Sequence, residues 1–143
     1  MKPLLICIVG PTAVGKTDLG IKIAKSLNTE IVSADSRQIY KGMNIGTAAP
    51  TVKERQEAKH HFVNFLDPSK TYSAGDFERD ATLLLSEFFK THNVAVMVGG
   101  SGLYVKGVVD GFDYLPSDEN IRQELNDRVV LNGLQSLVEE LTT

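Results

Sequence analysis

Between an apolar run, Leu4 to Val9, and an amphipathic one that begins at Lys16 lies the segment Gly10-Pro11-Thr12-Ala13-Val14-Gly15-Lys16-Thr17. The spacing is that of a phosphate-binding loop, with a strand before it and a helix after it as such a loop requires. Its glycines allow backbone N–H groups to turn inward around a polyphosphate. Lys16 supplies a point charge to the outer oxygens, and the Thr17 hydroxyl is placed to ligate Mg²⁺. The helix that follows adds the positive end of its dipole. The loop does not say what the phosphates belong to: a nucleoside triphosphate and any other diphosphate ester would satisfy the same donors.

The rest of the pattern is that of an α/β chain. Helical spacing at Leu19, Ile23 and Leu27 predicts a helix from Lys16 to Leu27 with those residues as its buried stripe. Glu30 to Ala34 reads as a second strand that delivers Asp35 at its C-terminal end. Ser36 to Tyr72 reads mostly as a long connection, with a charged helical turn or two within Val52 to His61, and connections of that length usually carry function. Ser73, three residues before Asp76, predicts a capping box and a helix in which Phe77, Ala81, Leu84, Leu85 and Phe88 share a face. Val94 to Val98 is a continuous apolar run, as expected for a strand covered on both sides. Gly99-Gly100-Ser101-Gly102 ends it, and a short helix through Tyr104 and Val108 follows before Gly111 and Pro116 break the pattern. From Glu119 to Thr143 helical spacing returns, at Ile121, Leu125 and Val129 and again at Leu134, Leu137, Val138 and Leu141. Strands alternating with helices imply a parallel sheet with helices on both faces, the P-loop NTPase-like arrangement. Ligands bind such sheets at the carboxyl ends of the strands, where the phosphate loop, Asp35 and the Gly99 to Gly102 loop would converge.

A carboxylate at position 35, beside phosphates, is suited to hold Mg²⁺ through water, to take a proton from an attacking nucleophile, or simply to cap a turn. Val98 is followed by glycines and not by the acidic residue of a motor-type ATPase, which favours transfer to a small acceptor over ATP-driven motion. Ser101 and the backbone donors of its glycine loop suit either a turn or a binding loop. His60 and His61 have no Cys or acidic partner at metal-ligand spacing and read as loop residues.

A chain of 143 residues, 42% hydrophobic and 23% charged, is long enough for one core and too short for two. No run approaches the ~20 apolar residues of a membrane span, and Leu4 to Val9 lacks the flanks of an export signal. A cytoplasmic location is therefore expected, with the lone Cys7 a reduced core residue on a buried strand. The net charge of −3 hides an asymmetry, since residues 1 to 61 carry nine basic and five acidic side chains, and the remainder six and thirteen. The basic half holds the loop together with Arg37, Lys41, Lys53, Arg55 and Lys59, a set able to steer a polyanion or merely to solvate a surface.

Read together, several segments resemble the tRNA dimethylallyltransferases, also called tRNA isopentenyltransferases. They are the phosphate loop, Ser33-Ala34-Asp35-Ser36-Arg37-Gln38-Ile39-Tyr40-Lys41-Gly42-Met43, Ile45-Gly46-Thr47-Ala48, Asp67-Pro68, Tyr72-Ser73-Ala74 with Asp76-Phe77, and Val98-Gly99-Gly100-Ser101-Gly102-Leu103-Tyr104. They occur in the family's order over nearly the whole chain. The resemblance implies transfer of a dimethylallyl group from dimethylallyl diphosphate to N6 of the adenosine on the 3′ side of the anticodon in tRNA, releasing diphosphate. Gly10 to Thr17 would hold the donor's diphosphate, with Thr12 and Lys16 assisting its departure and Thr17 on Mg²⁺. Asp35 matches the general base, and Asp35, Ser36, Arg37, Gln38, Ser101 and Arg122 match positions that contact tRNA. The target adenosine would have to leave its stack to reach the site.

The resemblance also implies a division into an incomplete P-loop core over residues 1–116 and the start of a helical tRNA-binding insertion over 117–143. Family members are roughly twice this length, so the expectation is weak diphosphate binding and little transferase activity for this chain by itself, with oligomeric state left open. Two other readings remain: a small-molecule or nucleotide kinase, against which stands the lack of an arginine-rich lid after the third strand, and an inactive fragment acting by association through its C-terminal apolar stripes.

Overall fold

Residues 2–113 and 118–142 are described in a computed structural model of the chain. They divide into two compact units, Met1–Phe112 and Asp113–Thr143; Tyr114 to Ser117, including the predicted break at Pro116, lie outside the described residues.

The first unit is built on four parallel strands in the order β1-β4-β2-β3, where β1 is Leu4–Val9, β2 Ile31–Ser33, β3 His60–His61 and β4 Val94–Gly99. Between them run α1 (Lys16–Ser26), α2 (Val52–Glu57) and α3 (Ala74–Phe88), and α4 (Gly102–Asp110) follows β4. The central strand β4 shows why a continuous apolar run was needed. Ala95 and Met97 pack with Val32, Phe77, Ala81, Leu85 and Tyr104 on one face, whereas Val96 and Val98 pack with Ile21, Ala24, Ile31 and Ala58 on the other. Helices thus cover both faces, as expected. Phe77 sits at the centre of the first cluster, fully buried, stacked on Tyr104 at 4.4 Å and edge-on to Phe62 at 5.2 Å. The predicted capping box starts α3: Asp76 N donates to Ser73 Oγ at 3.1 Å, and Ser73 N donates to the Asp76 carboxylate at 2.9 Å.

Three expectations need correction. In α1 the face against the sheet is Gly20, Ile21 and Ala24, while Leu19 and Leu27 are 49% and 45% exposed. The cause is close approach: a Cβ on Gly20 would lie 2.5 Å from Val98 Cγ2, so small residues, and not the leucine repeat, mark the contact. The apolar run of β1 is also not a buried strand. Among the described residues it lies at a sheet edge, paired with β4 alone, and Leu4, Cys7 and Val9 are exposed. Cys7 is therefore not a core residue, although partial burial pushes its thiol up and keeps it protonated and weakly nucleophilic. Finally, the connection after β2 contains a strand that the sequence reading took for loop: His60 and His61 extend the sheet beside Ile31 and Val32.

The second unit consists of α5 (Glu119–Asn132) and α6 (Leu134–Thr142), separated by Gly133 at φ 77°. Asp118 caps α5 by accepting from Asn120 N at 2.8 Å and Ile121 N at 3.3 Å. Arg128 pairs with Glu140 across the two helices. Val130, Leu131 and Leu141 are more than three-quarters exposed. Among the described residues, no helix is long and apolar enough to cross a membrane.

Candidate functional site

At the carboxyl ends of β1, β2 and β4 one cavity of about 250 Å³ opens, lined by Thr12, Ala13, Gly15, Lys16, Thr17 and Asp18 on one side. Ser33, Asp35, Gln38, Val98, Gly99 and Gly100 also line it, as do Ala48, Pro50, Glu54 and His60. The loop from Gly10 to Gly15 folds through positive φ at Gly10 (152°), Ala13 (64°) and Gly15 (85°). Gly15 in this conformation is the residue before the first turn of α1, whose N-terminal N–H groups are thereby presented to the cavity side of the loop. Lys16 Nζ donates to the Pro11 carbonyl, which lays the ammonium across the loop. A tetrahedral anion seated there would meet backbone donors, the dipole end of α1 and one mobile cation.

Asp35 leaves the end of β2 two residues beyond Ser33. Its Oδ1 accepts from Arg37 N at 3.0 Å, so the carboxylate does cap a turn, as one reading of the sequence held. It lines the cavity at the same time, and the two roles are compatible because a carboxylate has two oxygens. The turn that follows β2 is fastened to the turn that follows β4. Ser36 N donates to Ser101 Oγ at 2.9 Å, the two hydroxyls are 3.2 Å apart, and Ser101 N donates to the Ala34 carbonyl at 3.1 Å. Gly99 permits this closeness, since a Cβ on it would lie 2.0 Å from the Ala34 carbonyl oxygen.

The donors around Thr17 suit a magnesium ion held largely by its ligand. Mg²⁺ keeps several waters and binds through one or two protein oxygens plus substrate phosphates. The Thr17 hydroxyl lines the cavity, the neighbouring Asp18 carboxylate is paired with Lys22 at 2.7 Å, and no cluster of three or more His, Cys, Asp or Glu occurs among the described residues. The residues therefore fit an ion that arrives with a diphosphate better than a resident one.

Of the residues picked out from the sequence, Thr12, Ala13, Gly15, Lys16, Thr17, Asp35 and Gln38 come together in the cavity. Ser36 and Arg37 are exposed beside it, and Ser101 links the two turns. Arg122 is exposed on α5 in the second unit. Sequence reasoning missed Asp18, Ser33, Ala48, Pro50, Glu54, His60 and Val98 as lining residues. Glu54 was legible, because Thr51 and Glu54 form a capping box with Glu54 N donating to Thr51 Oγ1 at 3.2 Å. His60 was not. Its Nδ1 lies 2.8 Å from the Ala58 carbonyl, which can only accept, so the proton is on Nδ1 and Nε2 is left as an acceptor. Burial pushes the His60 pKa down, against the opposing pull of the Ala58 carbonyl and of Glu54. His61 faces the other side of the sheet and pairs with Glu30 at 2.5 Å. Burial pushes the Glu30 carboxyl up, but the hydrogen bonds from His61 and Lys59 outweigh it and hold the group below its ordinary value.

The chain is similar to named relatives over nearly its whole length. Over 142 residues the chain is 51% identical to a tRNA dimethylallyltransferase of Christiangramia forsetii, covering 99% of this chain and 47% of the relative. It is 46% identical over 138 residues to that of Flavobacterium psychrophilum, covering 96% and 45%. The fold matches the crystal structure of a full-length tRNA isopentenylpyrophosphate transferase from Bacillus halodurans with a TM-score of 0.74 at 42% identity, over 99% of this chain and 47% of that one. It also matches a eukaryotic dimethylallyltransferase captured acting on tRNA, with a TM-score of 0.73 at 26% identity, over 84% of this chain and 31% of that one. The chain thus spans about half the length of the curated relatives it matches. The family model described as IPP transferase matches residues 38–143, and with that match over most of its length the chain belongs to the IPP transferase family.

Proposed function

We propose that this chain carries the donor site and the general base of a tRNA dimethylallyltransferase, which moves a dimethylallyl group from dimethylallyl diphosphate to N6 of the adenosine on the 3′ side of the anticodon. The observation that carries the reading is that Asp35 and the phosphate loop line one cavity. In the transfer the allylic C1–O bond breaks, the N6–C1 bond forms, diphosphate departs, and a proton leaves N6. The reading assigns a group to each change. The backbone N–H groups of the loop other than Pro11, together with the Lys16 side chain, stabilise charge that develops on the leaving oxygens, with Thr12 adding a hydroxyl contact. Bound with the diphosphate and touching Thr17, Mg²⁺ would supply further charge neutralisation.

The Asp35 carboxylate takes the N6 proton. An exocyclic adenine amine is a poor nucleophile, so holding it at the allylic carbon supplies much of the rate. The Ser36–Ser101 contact fixes the turn that carries Asp35, and Arg37, Gln38, Ser101 and Arg122 are the proposed contacts to tRNA. Residues 117–143 are proposed as the beginning of a helical part that holds tRNA, and the activity is one of the cytoplasm, where such tRNA is modified.

Calorimetric titration of the chain with dimethylallyl diphosphate and, separately, ATP, both with Mg²⁺, tests the reading. Tighter binding of the prenyl diphosphate is expected, and Lys16→Ala should weaken it at least tenfold, the loss of a charge-assisted contact of about 1.5–3 kcal/mol. A preference for ATP would replace the reading with that of a phosphotransferase.

A further inference from the structure

Part of the cavity wall, Ala48 and Pro50, belongs to the segment between β2 and α2, and the Gln38 side chain ties that segment to the end of β2. Gln38 Nε2 donates to the carbonyls of Thr47 and Ala48, each at 3.2 Å. Its Oε1 accepts from the hydroxyl of Ser33, the last residue of β2, at 3.4 Å. The amide thus spans from the buried end of a core strand to the far side of residues 41–50. Within that segment the other hydrogen bonds are local, although Thr47, Ala49 and Pro50 are buried: Thr47 Oγ1 donates to the Met43 carbonyl at 2.7 Å, Ala49 N to Asn44 at 3.1 Å and Ala48 N to Ile45 at 3.3 Å. At its start Lys41 N donates to Leu66 at 2.8 Å. Ile45, at the tip, is 99% exposed, so the tip is not held by packing.

What Gln38 holds in place is chemically distinct from the rest of the cavity. Ala48 and Pro50 come from this segment and, with Val98 of β4 and Ala13, make up the apolar lining; the other lining residues are polar, charged or glycine. The cavity therefore combines an anion cradle with a small hydrocarbon surface. A diphosphate ester of a short branched hydrocarbon presents that pair of features, and a bare diphosphate presents half of it. Both amide hydrogens of Gln38 are engaged by carbonyls of the segment before any ligand is bound.

We propose that Gln38 is a positioning residue: it latches residues 41–50 so that Ala48 and Pro50 form, with Val98, the apolar wall that makes the site prefer an isoprenyl diphosphate over inorganic diphosphate. The selection half rests on the donor assigned above, whereas the latch itself does not. Gln38→Met keeps the length of the side chain and removes both donors. Amides of residues 41–49 in that variant should exchange with deuterium about tenfold faster, because a pair of hydrogen bonds holding the segment is lost. The Kd for dimethylallyl diphosphate should rise about five- to tenfold as the wall loosens. The ratio of that Kd to the Kd for inorganic diphosphate should rise with it, at a Tm close to that of the unsubstituted chain.

Ala48→Gly tests the wall with the latch intact, and it places glycine at a residue whose φ is 50°. Removing that one methyl should weaken the prenyl ester about threefold relative to inorganic diphosphate while leaving exchange nearly unchanged. Unchanged exchange in Gln38→Met overturns the latch. Equal weakening of both ligands in either variant overturns the wall as the selector. If the unsubstituted chain holds the prenyl ester no more tightly than inorganic diphosphate, the donor assignment and the selection fall together, and the exchange rates still decide the latch.

Discussion

Replacing Gly99 by alanine should break the site and much of the stability through a single contact. A Cβ at this position would stand 2.0 Å from the Ala34 carbonyl oxygen, 2.4 Å from its carbon and 2.8 Å from its Cα, all of them backbone atoms of the neighbouring strand end. Non-bonded carbon and oxygen need about 3 Å or more, so the ends of β2 and β4 must part by about 1 Å. Ala34 N now donates to the Val98 carbonyl at 2.8 Å and Ser101 N to the Ala34 carbonyl at 3.1 Å, and parting by that much carries both beyond hydrogen-bond range. Two lost backbone bonds at about 1 kcal/mol each, with about 1–3 kcal/mol for overpacking, give roughly 3–5 kcal/mol. For a chain of this size that corresponds to a fall in Tm of about 10–20 °C, read by circular dichroism. The internal control is Gly102→Ala at the start of α4, where a Cβ meets nothing within 4 Å and a change within about 0.5 kcal/mol is expected. Because Ala34 precedes Asp35, diphosphate binding should weaken in Gly99→Ala even below its melting transition. A Gly99→Ala variant melting within 3 °C of the parent chain, or a Gly102→Ala variant losing as much, would refute the close-approach reasoning.

Phe77→Ala removes a fully buried ring that touches Phe62 and Tyr104, and should cost about 3–5 kcal/mol in chemical denaturation; a loss under about 1 kcal/mol would mean that this cluster is not the core. The His60 pKa is lowered on folding, chiefly by burial, so the unfolded chain binds that proton more readily. Its contribution is therefore fully present above the unfolded value of about 6.5 and lost as pH falls through that region, and His60→Gln should flatten the stability profile there. The lowered Glu30 carboxyl acts in a separate and more acidic window, below about 4.5, where its pairing with His61 and Lys59 is lost on protonation. An unaltered profile near pH 6 in His60→Gln would show that another group titrates there.

Much of the site was legible because it depends on local backbone chemistry. Glycines at fixed offsets, a lysine and a hydroxyl make a phosphate loop wherever a strand feeds a helix, and Asp35 was placed by the end of an apolar run. The core helix α3 was legible for the same kind of reason, since Ser73 and Asp76 cap one another and Phe77, Ala81 and Leu85 follow at helical spacing. Positions that depend on neighbours distant in the chain were not. Leu19 and Leu27 keep a perfect four-residue repeat, yet α1 turns Gly20, Ile21 and Ala24 to the sheet because Val98 lies too close for a larger residue. The run from Leu4 to Val9 is apolar enough for a central strand, but hydropathy carries no information about sheet order, and β1 is an edge.

The apolar wall shows most clearly where periodicity stops being informative. Residues 36–51 have no hydrophobic repeat, so the sequence offered only a long connection, and long connections in compact domains are commonly functional. What turns this one into a wall is the reach of one amide from Ser33 to Thr47 and Ala48, a contact between residues five to ten positions apart with no helical or strand register. Gln38 drew attention in the sequence as a residue on the tRNA side of the site, and its geometry gives it another task that the same residue type performs equally well. A glutamine at that position is required on either account. The two diverge in what they predict for Gln38→Met: a contact made only to tRNA leaves prenyl diphosphate binding alone, whereas a latch weakens it before any nucleic acid is added.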